Sequence, residues 1–466
     1  MLCHQKMQRD EKSGHPIKWV TFVGPSLSGK GTLVGRLLHN YLVDPRMIRK
    51  FEDVASHLIN TNHYYHGFLY YFFTRRLFGD NEYKTRYEMY EHKVLDVPEV
   101  INSEYIRTKV SSNERLIITQ IPFRKCLPTI IREINICDIC IVVVDGRIPD
   151  IRHKQCEECL SAADFVLLAK LMQKELIICV TKIDDVKAND IVVLCNTLKK
   201  YCKKVNVKLV EIVPVSGFEG HNIGKLYDNN YSLQYHGKPL LEIILNHKPK
   251  VYWDTLKPFR MVIRNRYKIG GVGTVIEGRI LSGTINKRDN IIVATNKHGV
   301  VNSIESCFEP IKDAKAGHFI GINVKGFSKN DIVRNFMVTR VDDQPLLPVS
   351  YFEAKIAILK ALPQGTKVGC VPNLYCYGQH GSCKLEKIIV RLDRNTHKPI
   401  EGLCDSLKTG EMALVRIVPH FTTFLESFTD SDVIGRIILT HNNTIMAAGV
   451  VTMVHTYAPD NKVPLQ

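Results

Sequence analysis

The first half of the chain alternates short, continuous apolar runs with longer amphipathic stretches. The runs are Trp19–Val23, Leu116–Thr119, Ile139–Val144, Leu176–Val180 and Leu209–Val215. Largely apolar runs of this kind read as strands buried on both faces. After the first of them, Leu33, Val34, Leu37, Leu38 and Leu42 recur at the spacing of one helix face. Strands alternating with helices predict a mostly parallel sheet joined by crossovers, with any ligand at the carboxyl ends of the strands. From about Tyr252 the pattern becomes short strands punctuated by Gly, Asn and Asp turns, such as Gly270-Gly271-Val272-Gly273 and Asn296-Lys297-His298-Gly299. That texture predicts β-barrels, with Asp342-Asp343-Gln344-Pro345 as the break between two of them. The predicted plan is a flexible lead-in over 1–16, an α/β domain over 17–245, one barrel over 246–343 and another over 344–466.

Between the first strand and the first helix lies Gly24-Pro25-Ser26-Leu27-Ser28-Gly29-Lys30-Gly31-Thr32. Strand, glycine loop and helix in that order form a phosphate-binding loop. Gly24 and Gly29 let the backbone curl so that N–H groups point inward at phosphate oxygens. The helix N-terminus adds a partial positive charge, and Lys30 a full one. Ser28, Gly29, Lys30, Gly31 and Thr32 are the candidate phosphate contacts with Gly24. The position after the lysine ordinarily carries a Ser or Thr hydroxyl for Mg²⁺; here it is Gly31, and the hydroxyl comes one residue late at Thr32.

Two later strand ends point to guanine. In Thr181-Lys182-Ile183-Asp184 a carboxylate can accept from both the ring N–H and the exocyclic amine of guanine, a pair that adenine lacks. Taken in isolation, Asp184 also reads as a helix N-cap. The Lys182 stem can lie along the base. In Ser216-Gly217-Phe218 a backbone N–H near Ser216 can donate to the guanine carbonyl. Each motif is weak alone; after a phosphate loop, in order and at strand ends, they reinforce one another.

Composition is globular, 45% hydrophobic and 24% charged, which is compatible with packed cores in all three predicted domains. The formal net charge of +16 suits work on a polyanion. A solvated basic surface is the other reading of that charge. Met1–Pro16 is polar and mixed in charge, unlike a secretory leader, and no apolar stretch has the length of a membrane span. The fourteen cysteines are scattered and fit reduced thiols in a cytoplasmic protein.

With these motifs in place, the sequence closely resembles translational GTPases of the elongation factor 1-alpha group. Val213–Asn222 resembles the group's guanine loop, Tyr267–Val275 the opening of its second domain, and Glu426-Ser427-Phe428 with Gly435-Arg436 its third domain. The resemblance implies an α/β P-loop GTPase domain followed by two antiparallel β-barrel domains, acting as a monomer. Within the group the chain is most similar to the ribosome-rescue factor that partners Pelota, through Ser28–Leu33, Leu385–Asp393, Leu407–Val415 and Ala447–Thr452. That factor usually carries a long N-terminal extension, which residues 1–16 do not match.

Against the family pattern the losses share a role. The second-switch motif, Asp-x-x-Gly-His, falls at Gln120-Ile121-Pro122-Phe123-Arg124. Gln120 replaces the metal-linked Asp, Phe123 the Gly that meets the γ-phosphate, and Arg124 the His that orients water. No Thr occurs between Arg86 and Arg107 to close the first switch. Residues that read guanine and hold diphosphate remain, so the expectation is GTP or GDP binding without the usual Mg²⁺ ligands, no catalytic residues, and weak or absent hydrolysis. Arg124 acting as an arginine finger is the disfavoured reading, because the metal would still lack ligands. The expected function is ribosome rescue with a Pelota-like partner and the ribosome's rRNA, away from membranes. The alternative is a pseudo-GTPase adaptor linking ribosomes to RNA decay. An elongation factor carrying aminoacyl-tRNA fits less well, because that task needs one hydrolysis per cycle.

Four further signals have bland readings. Residues 56–92 interleave aromatics and bases and read as a helix pair with aromatic packing, with RNA stacking as the alternative. Cys376, His380 and Cys383, with Cys370 nearby, have atypical spacing for zinc. Cys156 and Cys159 read as one helical face. Lys199-Lys200-Tyr201-Cys202-Lys203-Lys204 reads as a solvated helix face, or a contact for rRNA phosphates.

Overall fold

The computed structural model describes residues 17–38, 105–109, 115–121, 127–156, 159–226, 235–248, 253–293, 297–306, 309–363, 365–400, 402 and 404–457. Residues 56–92, Phe123 and Arg124 lie outside these. The chain divides into two compact units, Ile17–Val251 and one formed mainly by Tyr252–Gln466.

The first unit runs β1 (Ile17–Val23), α1 (Lys30–Leu37), β2 (Tyr105–Lys109), β3 (Arg115–Gln120), α2 (Leu127–Ile136) and β4 (Ile139–Asp145). It continues with α3 (Ala162–Leu171), β5 (Glu175–Thr181), α4 (Ala188–Val205), β6 (Leu209–Pro214) and α5 (Leu240–Asn246). Its sheet has the order β2-β3-β1-β4-β5-β6, and every pairing is parallel except β2 with β3. β4 and β5 are buried at every position, which is why their sequences are unbroken apolar runs. The strand β2, Tyr-Ile-Arg-Thr-Lys, carries no such run, as befits an edge strand paired on one side only. The chain leaves β1 toward β3 on one side and later returns to β4 on the other. The crevice at the carboxyl ends of β1 and β4 is therefore the topological switch point. Leu33, Val34, Leu37 and Leu38 on α1 pack with Phe22, Ile141, Val143, Cys179 and Val213 in one core. At the start of α3 the Ser161 hydroxyl accepts from the Asp164 N–H, and Asp164 accepts from the Ser161 N–H at 2.9 Å, a reciprocal cap that fixes where the helix begins.

The second unit holds two barrels. In the first, Arg260–Ile269, Gly273–Ser282, Phe319–Lys325, Lys297–Ser306, Asn290–Val293 and Met337–Arg340 form a ring of six antiparallel strands, with Glu309–Ile311 as a short seventh. The ring closes because Asn290–Val293 pairs with both Lys297–Ser306 and Met337–Arg340. In the second, Asn373–Cys376 pairs with both Gln379–Leu392 and Arg436–His441, which closes an equivalent ring. Closure removes the open edges that would otherwise template aggregation. Arg260, 3% exposed, ties the barrels together: it binds the Glu426 carboxylate at 2.8 Å and donates to the carbonyls of Phe259, Asp343 and Gln344.

The cysteines are placed differently from the two sequence readings. Cys156 and Cys159 form a disulfide in a turn-rich segment before α3, so they share neither a helix face nor the reduced state expected of all the thiols. In the hairpin of the second barrel Cys376 faces the core, with its Sγ 3.2 Å from Thr423 Oγ1, whereas His380 is exposed and stacks on Tyr375. Burial pushes the Cys376 thiol up to about 12 and the Cys383 thiol higher. Cys376 and Cys383 are buried in one apolar core with Cys370 packed against it, and the exposed His380 does not join them. Among the described residues no group of three or more His, Cys, Asp or Glu side chains is arranged to hold a metal.

Candidate nucleotide site

The phosphate loop connects β1 to α1 in the switch-point crevice. Gly24 adopts φ 148°, and a Cβ there would lie 2.3 Å from the Val143 carbonyl oxygen on β4. Gly29 caps α1 in the left-handed region at φ 85°. The chain therefore curls as the sequence requires. Lys30 is buried and folds its Nζ back to the carbonyls of Gly24 at 2.9 Å and Pro25 at 2.6 Å. Burial, with a smaller contribution from Lys182, lowers its pKa to about 7. Ser28 is buried in the loop, and Ser26 Oγ is buried with no hydrogen-bond partner among the described residues, the kind of orphaned atom a phosphate oxygen would satisfy.

Thr181 and Lys182, at the end of β5, brace this loop from below. The Thr181 hydroxyl is 2.7 Å from the Ser28 carbonyl oxygen and 3.0 Å from that of Val144. The Lys182 ammonium donates to the Leu27 carbonyl and to Asp145, each at 2.7 Å. Burial pushes the Asp145 carboxyl up, but hydrogen bonds from Arg147 and Lys182 together outweigh it and hold the group below the usual carboxylate range. Asp184 follows on a single 3₁₀ turn and is exposed.

The Ser216–Phe218 loop closes the other side. Ser216 is fully buried; its hydroxyl accepts from the Glu219 N–H at 2.9 Å and its own N–H is used by the His221 carbonyl. Gly217 and Phe218 have no hydrogen bond from their N–H groups to any described residue, so a guanine carbonyl would be met by one of these two rather than by Ser216. Gly217 approaches α1 closely: a Cβ there would be 3.3 Å from both the Leu33 nitrogen and Thr32 Cγ2. Thr32 thus turns its methyl toward Gly217, about 100° around the helix from residue 31. Gly31 itself offers no side chain. The position that ordinarily carries the Mg²⁺-ligating hydroxyl therefore has none, and the Thr32 side chain leaves the helix about 100° further round. Gln120 ends β3 in register with Phe22 of β1, beside the loop.

Sequence reasoning missed four supports. Arg36 donates to the Phe218 carbonyl at 2.9 Å, Gln155 to the Ser26 carbonyl at 2.9 Å and Asn222 to the Pro214 carbonyl at 2.9 Å, while Asp145 anchors Lys182. Only Asp145 had a signal, as the charged end of an apolar run.

Comparison with known proteins decides the lineage. Residues 125–250 match the elongation factor Tu GTP binding domain, 273–338 the elongation factor Tu domain 2, and 351–452 the GTP-eEF1A C-terminal domain-like family. The chain belongs to the elongation factor 1-alpha-like translational GTPases. Elongation factor 1-alpha of Plasmodium falciparum is 26% identical, over 92% of this chain and 93% of that protein. Elongation factor 1-alpha-B of Schizosaccharomyces pombe is 28% identical, over 94% and 95%. The fold matches the GTPase-like domain of Saccharomyces cerevisiae Ski7 bound to GDP and inorganic phosphate (TM-score 0.68, 16% identity, 97% of this chain and 100% of that one). It also matches the translation elongation factor SelB of Methanococcus maripaludis in complex with the GTP analogue GPPNHP (TM-score 0.66, 17% identity, 96% and 80%). The architecture expected of the family, a GTP-binding domain with a largely parallel sheet and two antiparallel barrels, is the one observed. Guanine-nucleotide binding and work at the ribosome come with the family. No helix among the described residues is long and apolar enough to cross a membrane.

Proposed function

We propose that this translational GTPase relative is a guanine-nucleotide-binding rescue factor that acts on stalled ribosomes with a Pelota-like partner, and whose GTP hydrolysis is weak or absent. Nucleotide serves as a brace: Lys30 and the loop N–H groups hold the phosphates, Asp184 and the Gly217–Phe218 N–H groups read guanine, and Thr181 and Lys182 keep the two halves in register. The observation that supports the loss of hydrolysis is Gly31, with Thr32 turned toward Gly217. Phosphoryl transfer rests on positioning and electrostatics, and each tenfold loss of rate corresponds to about 1.4 kcal/mol. The GTPase-like domain of Ski7 holds GTP in one structure and GDP with inorganic phosphate in another, and the same pair of ligands is proposed here.

Calorimetry of the purified protein with GDP and GTP, with and without Mg²⁺, tests the reading. Micromolar or tighter binding that Mg²⁺ leaves unchanged is expected, and the Gly31→Ser variant should gain Mg²⁺ dependence. GTP hydrolysis that Lys30→Ala abolishes overturns the loss of activity. Capture of a Pelota-like protein supports the rescue role, whereas capture of the exosome in its place supports the adaptor role.

A further inference from the structure

The helix α4 carries a second feature that the nucleotide site does not use. Ile191, Leu194, Leu198 and Cys202 are its buried positions. At about 100° per residue, Lys199, Lys200, Lys203 and Lys204 fall within an arc of about 140° on roughly the opposite side. All four are exposed, and Lys208 continues the series beyond the Asn206 cap. None of these five ammonium groups is paired with any described residue, whereas Lys154, Lys182, Lys238 and Lys297 each meet a carboxylate. From Ile191 to Val210 the chain contains no Asp or Glu.

This arrangement has a cost. Lys199 with Lys203, and Lys200 with Lys204, are like-charge neighbours four apart on a helix, an arrangement that destabilises it. The helix C-terminus favours Lys203 and Lys204 in the last turn, but that benefit fades before Lys199 and Lys200. An external polyanion removes the repulsion and uses the whole arc. A lipid surface suits it poorly, because a membrane-lying helix needs a large free apolar face, and the apolar face of α4 is spent on the core. Tyr201, the aromatic residue within the cluster, is half-buried with its hydroxyl directed to the Ala163 carbonyl.

We infer that the outer face of α4, Lys199, Lys200, Lys203 and Lys204 with Lys208, is a docking surface for the phosphate backbone of RNA. The choice of RNA rests on the reading of the chain as a factor that works at the ribosome. Recognition is of charge spacing, so it tolerates sequence and weakens steeply with salt.

The test uses the full chain and a fluorescein-labelled RNA stem–loop, with affinity followed by anisotropy across a salt series. Two variants of equal net charge are compared: K199Q/K200Q/K203Q/K204Q, and a control with Lys287, Lys312, Lys329 and Lys360 changed to Gln. The α4 variant should flatten the log–log salt slope by about two to four and weaken binding at least about tenfold near 0.1 M salt, with the control close to the parent. Equal losses in both variants, or no loss in the α4 variant, overturn the inference, as does lysine-dependent binding to phosphatidylserine vesicles without RNA binding. Thermal melting and GDP calorimetry on the same samples keep the questions apart. Unchanged melting and GDP affinity with unchanged RNA binding defeats the α4 surface alone, whereas loss of GDP binding in the parent protein defeats the nucleotide reading.

Discussion

If Lys30 holds the phosphates as proposed, nucleotide binding is a proton-linked event. Buried in its own loop and close to the Lys182 charge, Lys30 is held at a pKa of about 7 against an ordinary 10.5. A phosphate in the loop restores the charged form, so above pH 7 the protein takes up a proton as nucleotide enters. With the bound-state pKa well above the range, affinity follows the protonated fraction of the free protein. Between pH 7.5 and 8.5 it should fall about eightfold, or about 1.2 kcal/mol. Calorimetry in buffers of differing ionisation enthalpy reads the uptake directly, approaching one proton at the upper end. Lys30→Gln should bind more weakly with no such slope. An affinity that is flat with pH in the parent protein, or a slope that survives in Lys30→Gln, refutes the reasoning. Folding feels the same shift with a definite sign. The unfolded chain keeps this proton up to about pH 10.5 and the folded one loses it above about 7. Within that window the unfolded state binds more protons, and this group raises nucleotide-free stability by about 1.4 kcal/mol per pH unit.

Two substitutions probe the scaffold. Thr181→Val removes the hydroxyl that joins the Ser28 carbonyl to the end of β5 and should cost about 1–3 kcal/mol in denaturant unfolding, with weakened GDP binding; unchanged values on both counts would show that the loop is held by Lys182 alone. Arg260→Met leaves Glu426 and the carbonyls of Asp343 and Gln344 without their donor and should destabilise the barrel unit by about 3–5 kcal/mol, read as an earlier transition in differential scanning calorimetry.

Legibility followed burial. β4 and β5 are covered on both faces, so their composition alone announced them, and the phosphate loop followed from a strand, two glycines and a lysine at fixed spacing. The edge strand β2, Tyr-Ile-Arg-Thr-Lys, gave no such signal, because polar and charged residues interrupt it. Arg36 and Gln155 were invisible for another reason: each acts on a backbone carbonyl far away in sequence, and a carbonyl leaves no mark on composition. The cysteines misled because spacing was read as helix where the backbone turns. Ser216 was legible as a position but not as an atom. The sequence placed a donor near Ser216; the Ser216 N–H itself is consumed by His221, whereas those of Gly217 and Phe218 bond to no described residue.

Gly31 and Thr32 separate what a sequence can say about a site from what needs coordinates. The missing hydroxyl at residue 31 is evident from the motif. Whether the next residue substitutes for it depends on direction, since one step along a helix turns a side chain by about 100°. The close approach of Gly217 gives the direction of the Thr32 methyl: it fills the space beside residue 217, where any Cβ would press on α1. The glycine that brings the guanine loop against the helix is thus the same feature that places Thr32 on that side. The two halves of the site are coupled through one contact, so Gly217→Ala should disturb the seating of Thr32 and the register of the Gly217–Phe218 donors together, lowering GDP affinity without touching Lys30.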